Sequence, residues 1–455
     1  MTSRRRFLVP LFLSMVAATA CSPQETPAGQ NGGGDKGGSG AGGGGGSKSS
    51  GGSGGANDSS GGAGGSAGSS AGGSGGGGGS GGTAGDAAAP GDGQGPSADD
   101  CTSSPKTLLC DPLGTMPKTI KETGLFPAAP DFTKHSAAMR GFTPDPPLWS
   151  DGMEKQRFML LPAGKKIDNT DPKVWVFPVG TVFIKTFFDD SGAGGKPRPI
   201  ETRMIRRIGT ADDLVEFDYY LYQWNDAGTD ANLLLNDRAG DDTFAPTVKI
   251  TINRMVNNKP FMINNGQQFD HTLPSRGMCG DCHHDNGLTY QTFIGFDELR
   301  LNTKLTPGAA KTQLQEFQEA GIFMKAPKPG DPPPATITAS DPNLLATLKF
   351  VKGNCVHCHN AKGKQFDLAP EVFVQNTVRQ KTDAQSVMPP ADWFRVFPGM
   401  PEKSVVYVQT RRAPLPMPTA TGGDRLRPMP PIGVNDMAPD QAGLDAMKAW
   451  IMNLK

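Results

Sequence analysis

The sequence has no excess of charge of either sign, because 45 lysines and arginines balance 45 aspartates and glutamates. A neutral chain lacks the basic surface that attracts nucleic acids or anionic membranes, so we expect no nucleic-acid partner. Beyond its first 21 residues, the chain also lacks an apolar run long enough to cross a bilayer. Membrane contact is therefore expected only through the N-terminus.

Apolar side chains are almost missing from residues 22–100, as in GGSAGSSAGGSGGGGGSGG. Such a segment buries too little surface to offset the entropy of ordering it, which predicts a flexible linker. About 75 such residues reach roughly 45–50 Å. The rest of the chain is long enough for two ordinary domains.

The first 21 residues are typical of an export signal, with Arg4, Arg5 and Arg6 before a short apolar core. The ending ATAC resembles a bacterial lipobox, in which Cys21 carries the lipid and residues 1–20 are removed. An ordinary signal peptide is the alternative. The arginines form either a plain basic region or a segment that resembles a twin-arginine signal. Ser22 resembles the rule for sorting to an outer membrane.

Seven cysteines divide into three groups: Cys21, the pair Cys101 and Cys110, and the motif cysteines Cys279, Cys282, Cys355 and Cys358. Cys101 and Cys110 lie close together where the linker ends. In an oxidising exported compartment they are predicted to form a disulfide, and two unrelated thiols are the alternative.

The motif cysteines lie in SRGMCGDCHHDNG (275–287) and KGNCVHCHNAKG (352–363). A four-cysteine zinc site usually has its pairs about 15–20 residues apart, whereas 72 residues separate Cys282 from Cys355. Zinc also does not require a histidine directly after each pair. Covalent haem c does, since two thiols bind the porphyrin and the next imidazole binds the iron. The motifs predict two haem c groups, with His283 and His359 as proximal ligands.

This prediction bears on the export signal as well. Haem c is attached to an unfolded chain after export, and a twin-arginine signal exports folded chains. The three arginines are therefore better interpreted as a plain basic region.

Residues 343–455 have the length of one small cytochrome c domain. LLATLKFV has helical spacing before the second motif, and QAGLDAMKAWIMNL places Leu444, Met447, Ile451 and Leu454 on one face. The sixth iron ligand is expected from the proline-rich loop between these helices. Met429 in RPMPPIG is the favoured candidate, followed by Met388, Met400 and Met417.

The first haem has too short a segment around it, 271–330, for a domain of its own, so we expect it to rest against the preceding β region. Its sixth ligand is left open among His271, His284, Met324, Met388 and an open site. His284 is disfavoured because it adjoins the proximal His283 and would have to reach the opposite face of the same iron.

Short apolar runs separated by Gly, Pro and Asp predict an antiparallel sandwich or barrel over residues 101–270. A proline-rich linker, 331–342, precedes the last domain. The expected fold class is therefore multidomain: a β-rich, sandwich- or barrel-like N-terminal domain followed by an all-α, cytochrome c-like C-terminal domain.

Eight stretches across roughly residues 115–455 carry a resemblance: PLWSDGMEKQRFMLLPAGKKI, WVFPVGTVFIKTF, IETRMI, YLYQWNDAGTDANLL, LPSRGMCGDCHH, GFDELRLNTKL, LQEFQEAGIF and GNCVHCHN. Together they resemble a family of exported di-haem c-type cytochromes of environmental bacteria, uncharacterised and often predicted lipoproteins. The resemblance implies haem binding and electron transfer, with attachment at the four motif cysteines. It implies no substrate.

Electron transfer between redox proteins of the cell envelope is the function that the motifs favour. A haem peroxidase or oxidase with a five-coordinate first haem is the alternative from another class. A third hypothesis gives the β domain a glycan or surface partner, with the haems as auxiliary groups.

Overall fold

The computed structural model of this chain describes residues 107–128, 131, 134–209, 216–235, 246–256, 258–283, 293–362, 366–382, 393–412, 428–430 and 438–455. Expectations that lie outside these residues concern the export signal, the linker, Cys21, Cys101, His284, Met388 and Met417.

Short strands follow one another from residue 139 to residue 272. They are β1 (Met139–Gly141), β2 (Glu154–Leu160), β3 (Asp168–Asp171), β4 (Val174–Val176), β5 (Val182–Asp189), β6 (Arg198–Arg207), β7 (Phe217–Trp224), β8 (Ala231–Leu235), β9 (Thr247–Ile250), β10 (Asn253–Val256), β11 (Lys259–Met262) and β12 (Phe269–Thr272).

The largest sheet has six strands in the order β1-β2-β5-β6-β7-β8, and each neighbouring pair is antiparallel. Three two-stranded ribbons, β3-β4, β10-β11 and β9-β12, accompany it. Strand β5 is central and buried on both faces, which explains its nearly continuous apolar sequence VFIKTFFD.

Each face of this sheet has its own core, since successive side chains of a strand point to opposite faces. Phe158, Ile184 and Met204 belong to a cluster with the segment that precedes β1. Met159 and Phe183 lie on the opposite face with a group of phenylalanines that follows the first cysteine motif. The second face is the one that carries the candidate site.

The helices are short. They are α1 (Arg276–His283), α2 (Glu298–Leu301), α3 (Gln313–Glu319), α4 (Pro342–Asn354), α5 (Phe373–Thr377), α6 (Val405–Arg411) and α7 (Gln441–Asn453), with 3₁₀ turns at Lys121–Thr123, Ala193–Gly195, Asn264–Gly266 and Pro401–Lys403. The two longest begin after aspartate caps. Asp341 accepts from the Asn343 N–H of α4, and Asp440 accepts from the Gly443 N–H of α7.

Helices α4 and α7 pack against each other around a close approach at Gly443. A Cβ on this residue would lie 2.2 Å from the ring of Phe350 in α4, so the contact requires glycine. Leu444, Met447 and Ile451 are buried in the same cluster. The predicted helical face is therefore confirmed for Leu444, Met447 and Ile451, whereas Leu454 is the extended C-cap residue just after α7.

The expected fold class is wrong. In the described part of 343–455, the α-helices are four small ones, α4 to α7. Irregular backbone joins them, with isolated β-bridges at Val378–Val396 and Phe394–Ser404. These residues do not form the all-α, cytochrome c-like domain that was expected. Proline is frequent between α5 and α7 and cannot continue a helix, so the two longest helices do not extend into a bundle. The β part is likewise one six-stranded sheet with ribbons, where a sandwich or barrel was expected.

The C-terminal part also contacts the β part directly. Trp149 donates its indole N–H to the carbonyl of Ala438 at 2.6 Å, and its backbone N–H donates to the side chain of Asn354 at 2.9 Å. All described residues belong to one compact unit of the chain. Among them, no helix is both long and apolar enough to cross a membrane.

Candidate functional site

The first cysteine motif forms helix α1, directly after the buried Ser275. The Ser275 carbonyl accepts from the Cys279 N–H at 3.1 Å, and its hydroxyl accepts from the Met278 N–H at 3.3 Å. Arg276 ties the helix to β7 through an ion pair of 3.2 Å with Asp218. The helical turn places Cys279 and Cys282, three residues apart, on one face.

The second motif follows the end of α4 as a tight turn. The Cys355 carbonyl accepts from the N–H groups of Cys358, at 3.1 Å, and His359, at 2.9 Å. The His359 ring places Nδ1 3.4 Å from the Phe366 carbonyl oxygen. A metal-binding histidine is commonly oriented in this way by a carbonyl at its other nitrogen, which leaves Nε2 for the metal.

The two motifs meet in the fold. The side chains of Cys282 and Cys358 are hydrogen-bonded to each other. This bond, together with the neighbouring imidazoles of His357 and His359, lowers the pKa of the Cys358 thiol to about 4, although burial opposes the shift. By contrast, burial raises the pKa of Cys279 to about 11 and that of Cys355 to about 12. None of the four motif cysteines is in a disulfide.

This contact removes the sequence-separation argument against zinc, because folding brings together motifs that are 72 residues apart. A structural zinc site needs four converging ligands. Among the side chains that the structure describes, no group of three or more Cys, His, Asp or Glu residues is arranged to hold a metal. Haem iron needs fewer protein ligands than zinc, because the porphyrin supplies four nitrogens. One histidine per motif is then sufficient.

Cys279, Cys282 and His283 line a cavity between α1 and the second face of the six-stranded sheet. Its empty volume is about 1140 Å³, part of it open to solvent. Gly353, two residues before Cys355, also borders it and approaches Pro147 so closely that a Cβ would lie 2.5 Å from the Pro147 carbonyl oxygen. The cavity therefore reaches the end of α4, just before the second motif.

The cavity lining fits a haem. Much of it is apolar and aromatic, including Phe142, Phe183, Phe293 and Trp149, as a macrocycle requires. The Tyr219 ring centroid lies 6.4 Å from that of His283. The buried Tyr219 hydroxyl has no hydrogen-bond partner within the described structure, which leaves it available to a polar group in the cavity.

Three cations form a row across the cavity wall. In the strand register, Arg157 of β2 lies directly opposite Lys185 of β5, and Lys185 lies directly opposite Arg203 of β6. All three side chains therefore lie on the same face of the sheet and border the cavity. Burial, and then the charges of Arg203 and Arg157, lower the pKa of Lys185 to about 7. Burial lowers the pKa of Arg157 to about 10.

A buried chain of hydrogen bonds lies behind this row. His271 Nδ1 is 2.8 Å from Asp151, His271 Nε2 is 3.0 Å from Glu201, and Glu201 accepts from Arg203 Nε at 2.9 Å. Burial alone would raise the pKa of Glu201, but the Arg203 charge and the bonds from His271 and Arg203 lower it to about 2. Burial opposes the charge on His271, yet its two carboxylate partners raise its pKa.

His271 is therefore not a candidate sixth ligand, because both of its ring nitrogens are engaged by carboxylates. Met324, another candidate for the first haem, is 62% exposed on the surface. Of the methionines proposed for the second haem, Met400 is 46% exposed, whereas Met429 is half-buried. The Met429 backbone N–H donates to the Gln409 carbonyl in α6 at 3.1 Å. Ligation by Met429 stays a prediction.

Sequence reasoning missed the cation row and the Asp151–His271–Glu201 chain. The run IETRMI contains Glu201 and Arg203, but only strand register shows which residues they meet. Cys110, one cysteine of the predicted disulfide, is disulfide-bonded. Its predicted partner, Cys101, lies outside the described residues.

Comparison with known proteins adds no relative. No protein-family model matches the chain, and neither a curated protein nor a solved structure matches it.

Proposed function

We propose that this protein is a di-haem c-type cytochrome that transfers electrons in the cell envelope. Cys279 and Cys282 attach one haem, Cys355 and Cys358 attach the other, and His283 and His359 are the proximal ligands. The observation that carries the proposal is that Cys279, Cys282 and His283 of the first motif all border one mostly apolar and aromatic cavity. Each haem supplies an iron that accepts and releases one electron.

The contact between the two motifs supports an electron-transfer role over independent haem sites. Cys282 and Cys358 are hydrogen-bonded, so groups attached to these two sulfurs would be neighbours. Haems held by Cys282 and Cys358 would be close enough to exchange electrons, which would suit a protein that relays electrons between a donor and an acceptor. We propose exported redox proteins as these partners, and a lipid on Cys21 as the membrane anchor.

A haem enzyme of the peroxidase or oxidase type is the second candidate. Two observations favour it: a cavity lies beside His283, and neither His271 nor Met324 is placed to be the sixth iron ligand. A five-coordinate iron binds CO in its reduced state, and a six-coordinate electron carrier does not. Reduced spectra with and without CO distinguish the two functions. CO binding together with peroxide turnover would favour the enzyme.

Haem counting in motif variants tests the proposal. In a host that matures c-type cytochromes, we expect two haems per chain by pyridine haemochrome. One haem should be lost when Cys279 and Cys282 are changed to alanine, and the other when Cys355 and Cys358 are changed. The matched control changes Cys101 and Cys110, which should leave the count at two. A wild-type chain without covalent haem would contradict the proposal.

A further inference from the structure

The cation row, defined as Arg157, Lys185 and Arg203, destabilises the folded protein when no anion is bound to it. Its members occupy directly paired positions on β2, β5 and β6. Like charges at directly opposed cross-strand positions destabilise a sheet. Burial adds to this cost, because it disfavours the charged form of each side chain. Folding alone therefore gives no reason for three cations at these positions.

Only one member of the row is neutralised by a carboxylate. Arg203 pairs with Glu201 and lies over the ring of Phe187, with 4.4 Å between its guanidinium carbon and the ring centroid. Lys185 Nζ lies 4.8 Å from the same centroid. In the described part of the chain, neither Lys185 nor Arg157 makes an ion pair. The row thus presents Lys185 and Arg157 to the cavity without an ion-pair partner among the described residues.

The cavity combines these cations with the first cysteine motif. Cys279, Cys282 and His283 border it from α1, and the row borders it from the sheet. The remaining lining is largely aromatic and apolar, with Phe183 and Phe293 among its members. A ligand that fits this distribution is flat and apolar and carries two anionic groups at one edge.

We propose that Arg157 and Lys185 bind the two propionate carboxylates of the haem attached to Cys279 and Cys282. This inference rests on the proposed function and assigns the orientation of that haem in the cavity. Arg203 is held by Glu201, so it adds positive charge to the same edge without being required as a direct partner. The bound carboxylates offset the repulsion within the row.

Two charge-removing variants test this assignment, Lys185→Met and Arg157→Gln, made in the full haem-loaded chain. Loss of a neighbouring cation favours ferric over ferrous haem, since the ferric form carries one more positive charge. We therefore expect one of the two midpoint potentials to fall in each variant. The propionate bending vibration in resonance Raman spectra should shift in the same variants.

Two controls separate this effect from a general loss of charge or of folding. Lys311→Met removes a cation from an exposed pair with Glu319 and should move neither potential. Lys185→Arg keeps the charge and should keep both the potential and the Raman band near those of the wild type. Neutralising Lys185 relieves repulsion within the row, so Lys185→Met is expected to fold.

The outcomes are distinguishable. A wild-type chain without covalent haem contradicts the proposed function and the inference with it. Two attached haems whose potentials and propionate vibrations are unchanged in both Lys185→Met and Arg157→Gln overturn the inference alone. A lowered potential with a shifted propionate band in Lys185→Met and Arg157→Gln, absent from both Lys311→Met and Lys185→Arg, supports it.

Discussion

Replacement of Glu201 by glutamine should destabilise the protein far more than a surface charge change of the same kind. The Glu201 side chain is fully buried and joins Arg203 to His271. Glutamine keeps the shape of the side chain but removes the charge that compensates Arg203 and His271. The variant therefore leaves a buried cation without its partner.

Two arguments give about the same free energy of destabilisation for Glu201→Gln. Removing one partner of a buried ion pair typically costs about 3–5 kcal/mol. Independently, the pKa of Glu201 falls from its ordinary 4.5 to about 2. At about 1.4 kcal/mol per unit, that difference corresponds to about 3 kcal/mol of folding free energy near pH 7.

The sign of the pH dependence is fixed by the direction of that shift. The folded-state pKa of Glu201 lies below the unfolded value, so its contribution is present above about pH 4.5 and is lost as the pH falls towards 2. Below the range in which His271 titrates, the stability difference between wild type and Glu201→Gln should thus shrink from about 3 kcal/mol near pH 5 to about 1 kcal/mol near pH 3.

Urea unfolding of both proteins, followed by far-ultraviolet circular dichroism at several pH values, measures this difference as a shift of the midpoint. Glu319→Gln is the matched control, because Glu319 also forms an ion pair, with Lys311, but its side chain is 58% exposed. It should cost no more than about 1 kcal/mol. A Glu201→Gln loss as small as that of the control, or one that grows as the pH falls below about 4.5, would refute the reasoning.

Two further substitutions test the fold and the second haem. Gly443→Ala should destabilise the chain by about 1–3 kcal/mol through overlap with Phe350. In the same thermal unfolding experiment, Gly308→Ala should have little effect, because its added Cβ meets no atom within 4 Å. Met429→Ala should lower the potential of the second haem and abolish its methionine-to-ferric-iron charge-transfer band, whereas Met400→Ala should do neither. Unchanged potential and band in Met429→Ala would remove Met429 as the ligand.

Local signals predicted individual elements better than their assembly. The spacing of Leu444, Met447 and Ile451 correctly predicts helix α7, because it depends only on neighbouring turns. The same reasoning extended to a cytochrome c-like domain was wrong. Helical spacing at both ends of 343–455 does not determine what the proline-rich chain between them does.

The arrangement of the candidate site depends on long-range register, which periodicity does not contain. Arg157, Lys185 and Arg203 come together only through the pairing of β2, β5 and β6. His271 has both ring nitrogens engaged because Asp151 and Glu201 approach it from distant parts of the chain. The two cysteine motifs are evident in the sequence, but their contact through Cys282 and Cys358 is not.

The most direct test of the central claim is the intact mass of the purified, denatured full-length protein from a host that attaches haem c. Covalent haem survives denaturation, whereas a bound zinc ion does not. We predict a chain that carries two haem groups, both lost only when all four motif cysteines are replaced. A mass without haem, from a chain that stays folded, would contradict the claim.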